Sequence, residues 1–131
     1  MTGARALAID RGSAAAEFAL VSALLATLTL AVLQLALALH VRNTIADAAA
    51  EGARASALIG ATDADGVLRA KSLISSTLDE AYAREVVLTR SASGEGVVIE
   101  ITVRAPLPVL GLIGPANAME VTGRATAEPL R

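Results

Sequence analysis

Residues Phe18–Leu39 read FALVSALLATLTLAVLQLALAL, a run of about 22 residues without a charged side chain. A helix of about 20 apolar residues crosses the hydrocarbon core of a bilayer, so this run predicts one membrane span. A buried helix in a soluble core is one alternative, but 131 residues can hardly surround a helix that is apolar on every face. A secretory signal is another, although its apolar core is usually only ~7–15 residues long.

The composition excludes most catalytic chemistry. Hydrophobic residues make up 54% of the chain and aromatic residues only 2%. The chain has no cysteine, and His40 is its one histidine, which excludes thiolate metal sites, thiol nucleophiles and two-histidine sites. A net charge of -2 supplies no basic surface for nucleic acid. We therefore expect a protein that is not an enzyme, has no cofactor and binds no nucleic acid.

The helix is predicted to continue past the membrane. Neither glycine nor proline occurs between Ser13 and Glu51, and alanine and leucine are the most frequent residues there. This composition predicts one helix from about Ala14 to about Leu58, on the order of 65 Å long.

Small residues recur along this helix at a spacing that favours helix packing. Within the span they occur at every fourth position: Ala15, Ala19, Ala23, Thr27 and Ala31. Such rows let helices approach closely in a membrane. Beyond the span, further alanines extend the surface: Ala46, Ala49, Ala50, Ala53 and Ala57. We expect these stems to pack against one another, although an alanine-rich composition throughout the chain would produce the same pattern.

The remaining residues predict a small α+β cap. A turn over residues 60–66, with Asp63 or Asp65 as N-cap, precedes a second helix from about Val67 to Ala83. Its apolar face would contain Leu68, Leu73, Ile74, Leu78 and Tyr82.

A two-residue alternation then predicts strands. Glu85–Ala92 and Val97–Ala105 form an antiparallel hairpin, and Met119–Ala127 is a third strand. The apolar stretch Pro106–Pro115 is too rich in proline and glycine to be a central strand, and would cover the underside of the sheet or a partner. The predicted class is α+β, with a long N-terminal transmembrane helix, a second helix and a sheet of about three strands.

The residues at the start of the span suggest proteolytic processing. Glu17 lies at the edge of the uncharged run, where a carboxylate is costly without a partner. Arg11 is the one obvious partner in the intact chain. If the chain were cut after Gly12, Ser13 would carry a new α-ammonium group four residues before Glu17, on the same helix face.

This arrangement resembles the class III signal of type IV pilins and pseudopilins. In that family a short basic leader ends in glycine, here Gly12, and the mature chain has glutamate at its fifth position, here Glu17, followed by Phe18. Residues 12–21, 39–43 and 47–54 are most similar to the TadE-like minor pilins of the Tad (tight adherence, Flp-type) pilus system.

The resemblance implies a leader over residues 1–12, a transmembrane and stem helix over 13–59 and an extracytoplasmic cap over 60–131. It also implies cleavage between Gly12 and Ser13 by a cytoplasmic-side prepilin peptidase. The implied partners are that peptidase, other pilin and pseudopilin subunits, the Tad assembly platform and the lipid bilayer. Basic residues on both sides of the span leave its orientation open on charge alone.

A second function remains open on the sequence. The chain could be a single-pass anchored surface domain that binds a ligand or partner, with Glu17 an incidental interfacial residue.

Overall fold

The computed structural model describes residues 2–94, 96–108 and 118–127, with residues 2–11 as backbone alone. The elements follow in the order α1 (Thr2–Ala57), α2 (Asp63–Thr77), a one-turn 3₁₀ helix (Glu80–Ala83), β1 (Glu85–Ser93), β2 (Gly96–Ala105) and β3 (Met119–Ala127). A long apolar helix, a second helix and a three-stranded antiparallel sheet confirm the predicted α+β class.

Helix α1 begins earlier than expected and contributes to two compact units, residues 1–36 and 37–131. It ends because the chain turns at Gly60, whose φ of 82° is in the left-handed region that favours glycine. In the first unit, the described side chains are almost all exposed. Each unit is therefore described by itself.

The sheet of the second unit has the order β1-β2-β3, with both neighbouring pairs antiparallel. The strands agree with the predicted ones to within one residue at each end. The central position of β2 explains why its alternation is the clearest in the sequence: Ile99, Ile101 and Val103 are fully buried on one face.

The core of the second unit lies between that sheet face, α2 and the last turns of α1. Its fully or almost fully buried members on the helices are Val41, Ile45, Ala48, Ala49, Ala53, Ala70 and Ile74. The alanines beyond the span were expected to face other stems, and for Ala49 and Ala53 this expectation is wrong. They are used inside the chain because the apolar face of the sheet needs a cover, and small side chains allow the helix to come close.

Two glycine contacts set how close the elements approach. A Cβ atom on Gly123 of β3 would overlap the backbone of Ala49 and Ala50 on α1. A Cβ atom on Gly52 would lie 2.6 Å from the carbonyl oxygen of Gly66, the α2 residue that it faces. At these two points, the sheet and α2 therefore pack directly against the backbone of α1.

The start of α2 differs from the prediction. Thr62 is the N-cap, where either Asp63 or Asp65 was expected, and helix α2 begins at Asp63. The Thr62 hydroxyl accepts from the Asp65 amide at 3.2 Å, and the Asp65 carboxylate accepts from the Thr62 amide at 2.8 Å. This reciprocal capping box satisfies two helix-end donors, which a lone aspartate cap would not do.

The end and the buried face of α2 also differ from the prediction. The helix stops at Thr77 because Leu78 is extended, and the preceding serines turn their hydroxyls onto backbone carbonyls. Tyr82 is buried, but it lies in the separate 3₁₀ helix. Of the predicted apolar face, Ile74 is fully buried and Leu73 and Leu78 pack partly buried against the core, whereas Leu68 is 65% exposed. The small residues Gly66 and Ala70 are buried as well. Smaller side chains face α1 because the two backbones are so close.

The apolar connection between β2 and β3 is described only at its ends. Leu107 packs partly buried against the core. Residues 109–115 of the predicted Pro106–Pro115 segment lie outside the described residues.

We expect Gly123→Ala to destabilise the second unit by about 1–3 kcal/mol, because the added methyl forces α1 away from β3. Gly94→Ala is the matched control, since a Cβ atom there meets nothing within 4 Å. Thermal unfolding of the detergent-solubilised chain measures both. Equal melting temperatures for the two variants would contradict the close approach.

The capping box predicts an acid-sensitive helix start. Hydrogen bonds from the Thr62 backbone and then its side chain hold the pKa of Asp65 below its usual value. A folded pKa that is depressed contributes stability above the unfolded pKa, and this contribution is lost as the pH falls through the folded pKa. We therefore expect the wild type to lose more stability below about pH 4 than Asp65→Asn does. Asp47→Asn, at an exposed position of α1, should follow the wild type in pH-dependent unfolding.

Candidate processing and assembly site

The predicted cleavage position lies on an exposed stretch of α1. Gly12 and Ser13 are both exposed, and no atom lies within 4 Å of a Cβ built on Gly12. Glycine is a weak helix former, costing about 1 kcal/mol relative to alanine in a helix interior. The bond between Gly12 and Ser13 therefore adjoins the residue with the lowest helix propensity in this stretch.

The structure gives Glu17 a neighbour that the sequence analysis missed. The Ser13 hydroxyl donates to the Glu17 carboxylate, with 3.2 Å between Oγ and Oε1. Only charged partners of Glu17 were predicted from the sequence. The same four-residue spacing nevertheless places the Ser13 hydroxyl on the helix face of Glu17. A carboxylate has about four acceptor positions, so Glu17 keeps capacity for another donor.

The apolar segment after Glu17 is a candidate membrane anchor. In the part of the chain that the structure describes, one helix is long and apolar enough to cross a membrane, and none of its most apolar window is buried. Phe18 and Leu20 are 75% and 72% exposed. So much exposed apolar surface needs a lipid or a protein cover.

The two threonine hydroxyls within this segment bond to the helix itself. Thr27 and Thr29 donate to the carbonyl oxygens of Ala23 and Leu25, each at 2.8 Å. An internally bonded hydroxyl needs no water, so both side chains are compatible with a hydrocarbon surrounding.

The predicted row of small residues is present as one exposed strip. Residues four apart follow one another along the helix surface in a shallow ridge. All five members are exposed: Ala15, Ala19, Ala23, Thr27 and Ala31. The strip has the small side chains that close helix contact requires, whereas the buried alanines of the second unit do not remain available for it.

The outer face of the sheet carries structural ion pairs. Arg104 on β2 lies between Glu85 and Glu120, at 3.0 Å and 2.9 Å, and these two carboxylates raise its pKa further. Arg124 pairs with Glu100 on the same face. An arginine held as a permanent cation between two carboxylates is suited to fixing strand register rather than to proton transfer.

Other polar groups of the second unit also have structural roles. Arg90 donates to the Asp63 carboxylate at 2.5 Å and to the Ser56 carbonyl oxygen at 3.2 Å, and so joins β1 to the turn between the helices. Burial, followed by the nearby charge of Asp79, raises the pKa of Tyr82. Within the described ranges, no three histidine, aspartate or glutamate side chains lie close enough to hold a metal ion.

Comparison with known families points to the same helix. Residues 12–54 match the family model described as TadE-like protein. The matched segment begins at Gly12, contains the Ser13–Glu17 pair and the exposed strip, and ends on the buried part of α1. No curated protein and no solved structure matches the chain. Over residues 12–54, the chain is therefore similar to TadE-like proteins.

Proposed function

We propose that this protein is a minor pilin or pseudopilin of a Tad (Flp-type) adhesive pilus and secretion system. It is a structural or assembly subunit, processed by a prepilin peptidase after Gly12. The observation that carries the proposal is the TadE-like match, which begins at Gly12 and continues through the whole apolar segment.

Leader removal supplies the partner that Glu17 needs. Cleavage after Gly12 makes Ser13 the first residue, and its α-ammonium group then lies one helical turn from the carboxylate. The Ser13 hydroxyl already approaches that carboxylate at 3.2 Å. The ammonium group pairs with Glu17 of the same chain or of a neighbouring subunit, and pairing reduces the cost of a carboxylate at the membrane edge.

The proposed topology is a single pass with a cytoplasmic N-terminus and an extracytoplasmic second unit. The leader is residues 1–12, the membrane and stem helix 13–59 and the cap 60–131, with the end of the stem packed into the cap core. The partners are the peptidase, other pilin and pseudopilin subunits, the Tad assembly platform and the bilayer. The exposed strip from Ala15 to Ala31 is the surface for packing against other subunit helices.

The processing proposal is tested by coexpression with a prepilin peptidase. Intact mass of the membrane-purified protein should correspond to a chain that begins at Ser13. Gly12→Val should keep the leader, because a branched side chain replaces glycine at the scissile bond, whereas Gly94→Ala should be cleaved normally. A wild-type chain that keeps its leader beside an active peptidase contradicts the proposal and favours a single-pass anchored surface domain.

The role of Glu17 is tested separately from cleavage. We expect Glu17→Gln to be cleaved like the wild type but to impair pilus assembly, because an amide cannot form the ion pair with the new terminus. Glu51→Gln, elsewhere on α1, is the matched control. Shed pili are quantified by immunoblot of sheared cells, and wild-type pilus amounts in Glu17→Gln would contradict the charge pair.

The two groups of alanines on α1 give contrasting predictions. Ala23→Leu should leave unfolding of the second unit unchanged and weaken subunit association, because Ala23 is exposed on the proposed packing strip. Ala49→Leu should instead lower the melting temperature, because Ala49 is fully buried. Thermal unfolding and crosslinking in membranes measure the two effects. If Ala23→Leu crosslinks as strongly as the wild type, the exposed strip is not the surface for subunit packing.

A further inference from the structure

The second unit begins where the apolar run of α1 ends. Leu37 and Leu39 are 39% and 50% exposed, whereas Val41 is only 3% exposed. Helix α1 therefore changes from exposed to core-packed within about one turn. Any bilayer that surrounds residues 18–39 ends next to this part of the second unit.

The direction of α1 along the sheet determines which end of the sheet lies there. The Ala49–Ala50 backbone faces Gly123 on β3, and the Ser56 carbonyl accepts from Arg90 on β1. Gly123 pairs with Ile101 of β2, whereas Arg90 pairs with Ile99. Rising residue numbers along α1 thus correspond to falling residue numbers along the adjacent β2. The end of β2 at Ala105 therefore lies beside the start of the buried part of α1.

A shallow cleft confirms this placement within the second unit. Its lining residues come from α1 and from both ends of the β2–β3 connection: Ala38, Leu39, Arg42, Leu107, Ala118, Met119 and Glu120. From Ala105 to Met119 the sequence contains no charged residue. Glu120 is engaged by Arg104 at 2.9 Å. Among the residues that the structure describes, Arg42 is the one basic residue that lines the cleft.

We propose that this surface, formed by Leu39, Arg42, Leu107 and Ala118, lies against the bilayer leaflet in which the span ends. The apolar side chains contact the boundary between headgroups and acyl chains. Arg42 lies about 5 Å further along α1 than Leu39, at the level of the phosphates, and donates to them. The proposal requires that residues 18–39 cross a bilayer, and it is independent of leader removal and of pilus assembly.

The occupant follows from chemistry and chain continuity. Apolar side chains beside the Arg42 guanidinium, with the Glu120 carboxylate engaged by Arg104, match a phospholipid interface, where hydrocarbon and phosphate lie within a few ångströms of each other. The surface also includes Leu39, the last residue of the apolar run, so lipid that covers the end of that run lies beside it. A partner protein is the competing occupant.

The absence of native cysteine allows a direct test with single labels on the full chain. Ala118→Cys carries the test label, Leu39→Cys reports correct insertion, and Ser91→Cys on exposed β1 is the distant control. The chains are reconstituted in phosphatidylcholine vesicles whose lipids carry a nitroxide at the headgroup. We expect quenching of the Ala118 label about threefold stronger than of the Ser91 label, because interfacial groups lie within ~5–10 Å of the headgroups.

Quenching of the Ala118 label no stronger than that of the Ser91 label, while the Leu39 label is quenched, overturns the proposal. Because no peptidase or pilus component is present, this result would not bear on the proposed function. Conversely, a chain that keeps its leader in the processing experiment would leave the expected quenching of the Ala118 label unchanged.

A second variant pair tests Arg42. In the Ala118→Cys background, Arg42→Gln should reduce headgroup quenching, because the bond to phosphate is lost. Arg54→Gln, about 18 Å further along α1, should not reduce it. Equal quenching in the two variants removes Arg42 from the lipid contact.

Discussion

The second unit depends on how closely the backbone of α1 approaches the sheet. At Gly123 there is no space for even one added carbon atom, and at Gly52 the two helices meet backbone to backbone. Such close packing requires small residues on every facing element, which explains why alanine occupies the buried positions on both helices. The chain has few aromatic residues and no disulfide. The close contact of α1 with α2 and the sheet therefore supplies the stability that larger side chains supply in other small domains.

One helix therefore uses the same residue type in two ways. Along the candidate span, alanines lie exposed and form a strip for other helices or lipid. About two to three turns beyond Leu39, alanines become the inner layer of a folded unit. The change coincides with the end of the apolar run. Before this point the helix needs lipid or another helix to cover it, and beyond it α2 and the sheet of the same chain cover it.

Periodicity predicted most of the fold. The strands were found because alternation on β2 is strict and β2 is buried on one face, and the long helix because nothing in the sequence interrupts it. Capping was harder, since Thr62 and Asp65 form a box with aspartate where glutamate is usual. The fate of Ala49 and Ala53 could not be derived from spacing, because small residues suit a neighbouring helix and a nearby sheet equally well.

The candidate processing site is still a prediction, made as a position on the chain. Gly12, Ser13 and Glu17 stood out because a charge borders an uncharged run, and the family match begins at the same glycine. The hydrogen bond from the Ser13 hydroxyl to Glu17 was not predicted, because only ionic partners of Glu17 were considered. Only the coordinates place Arg42 beside both ends of the β2–β3 connection, since no local pattern joins residues so distant in sequence.

The contact between Gly123 and α1 also has a consequence for the order of folding. Strand β3 follows α2, β1 and β2 along the chain, so the alanines of α1 beneath Gly123 stay uncovered until all of these elements have been synthesised. Non-local closure of this kind slows folding. During this interval, the apolar face of α1 that packs in the second unit lacks the cover that β3 provides.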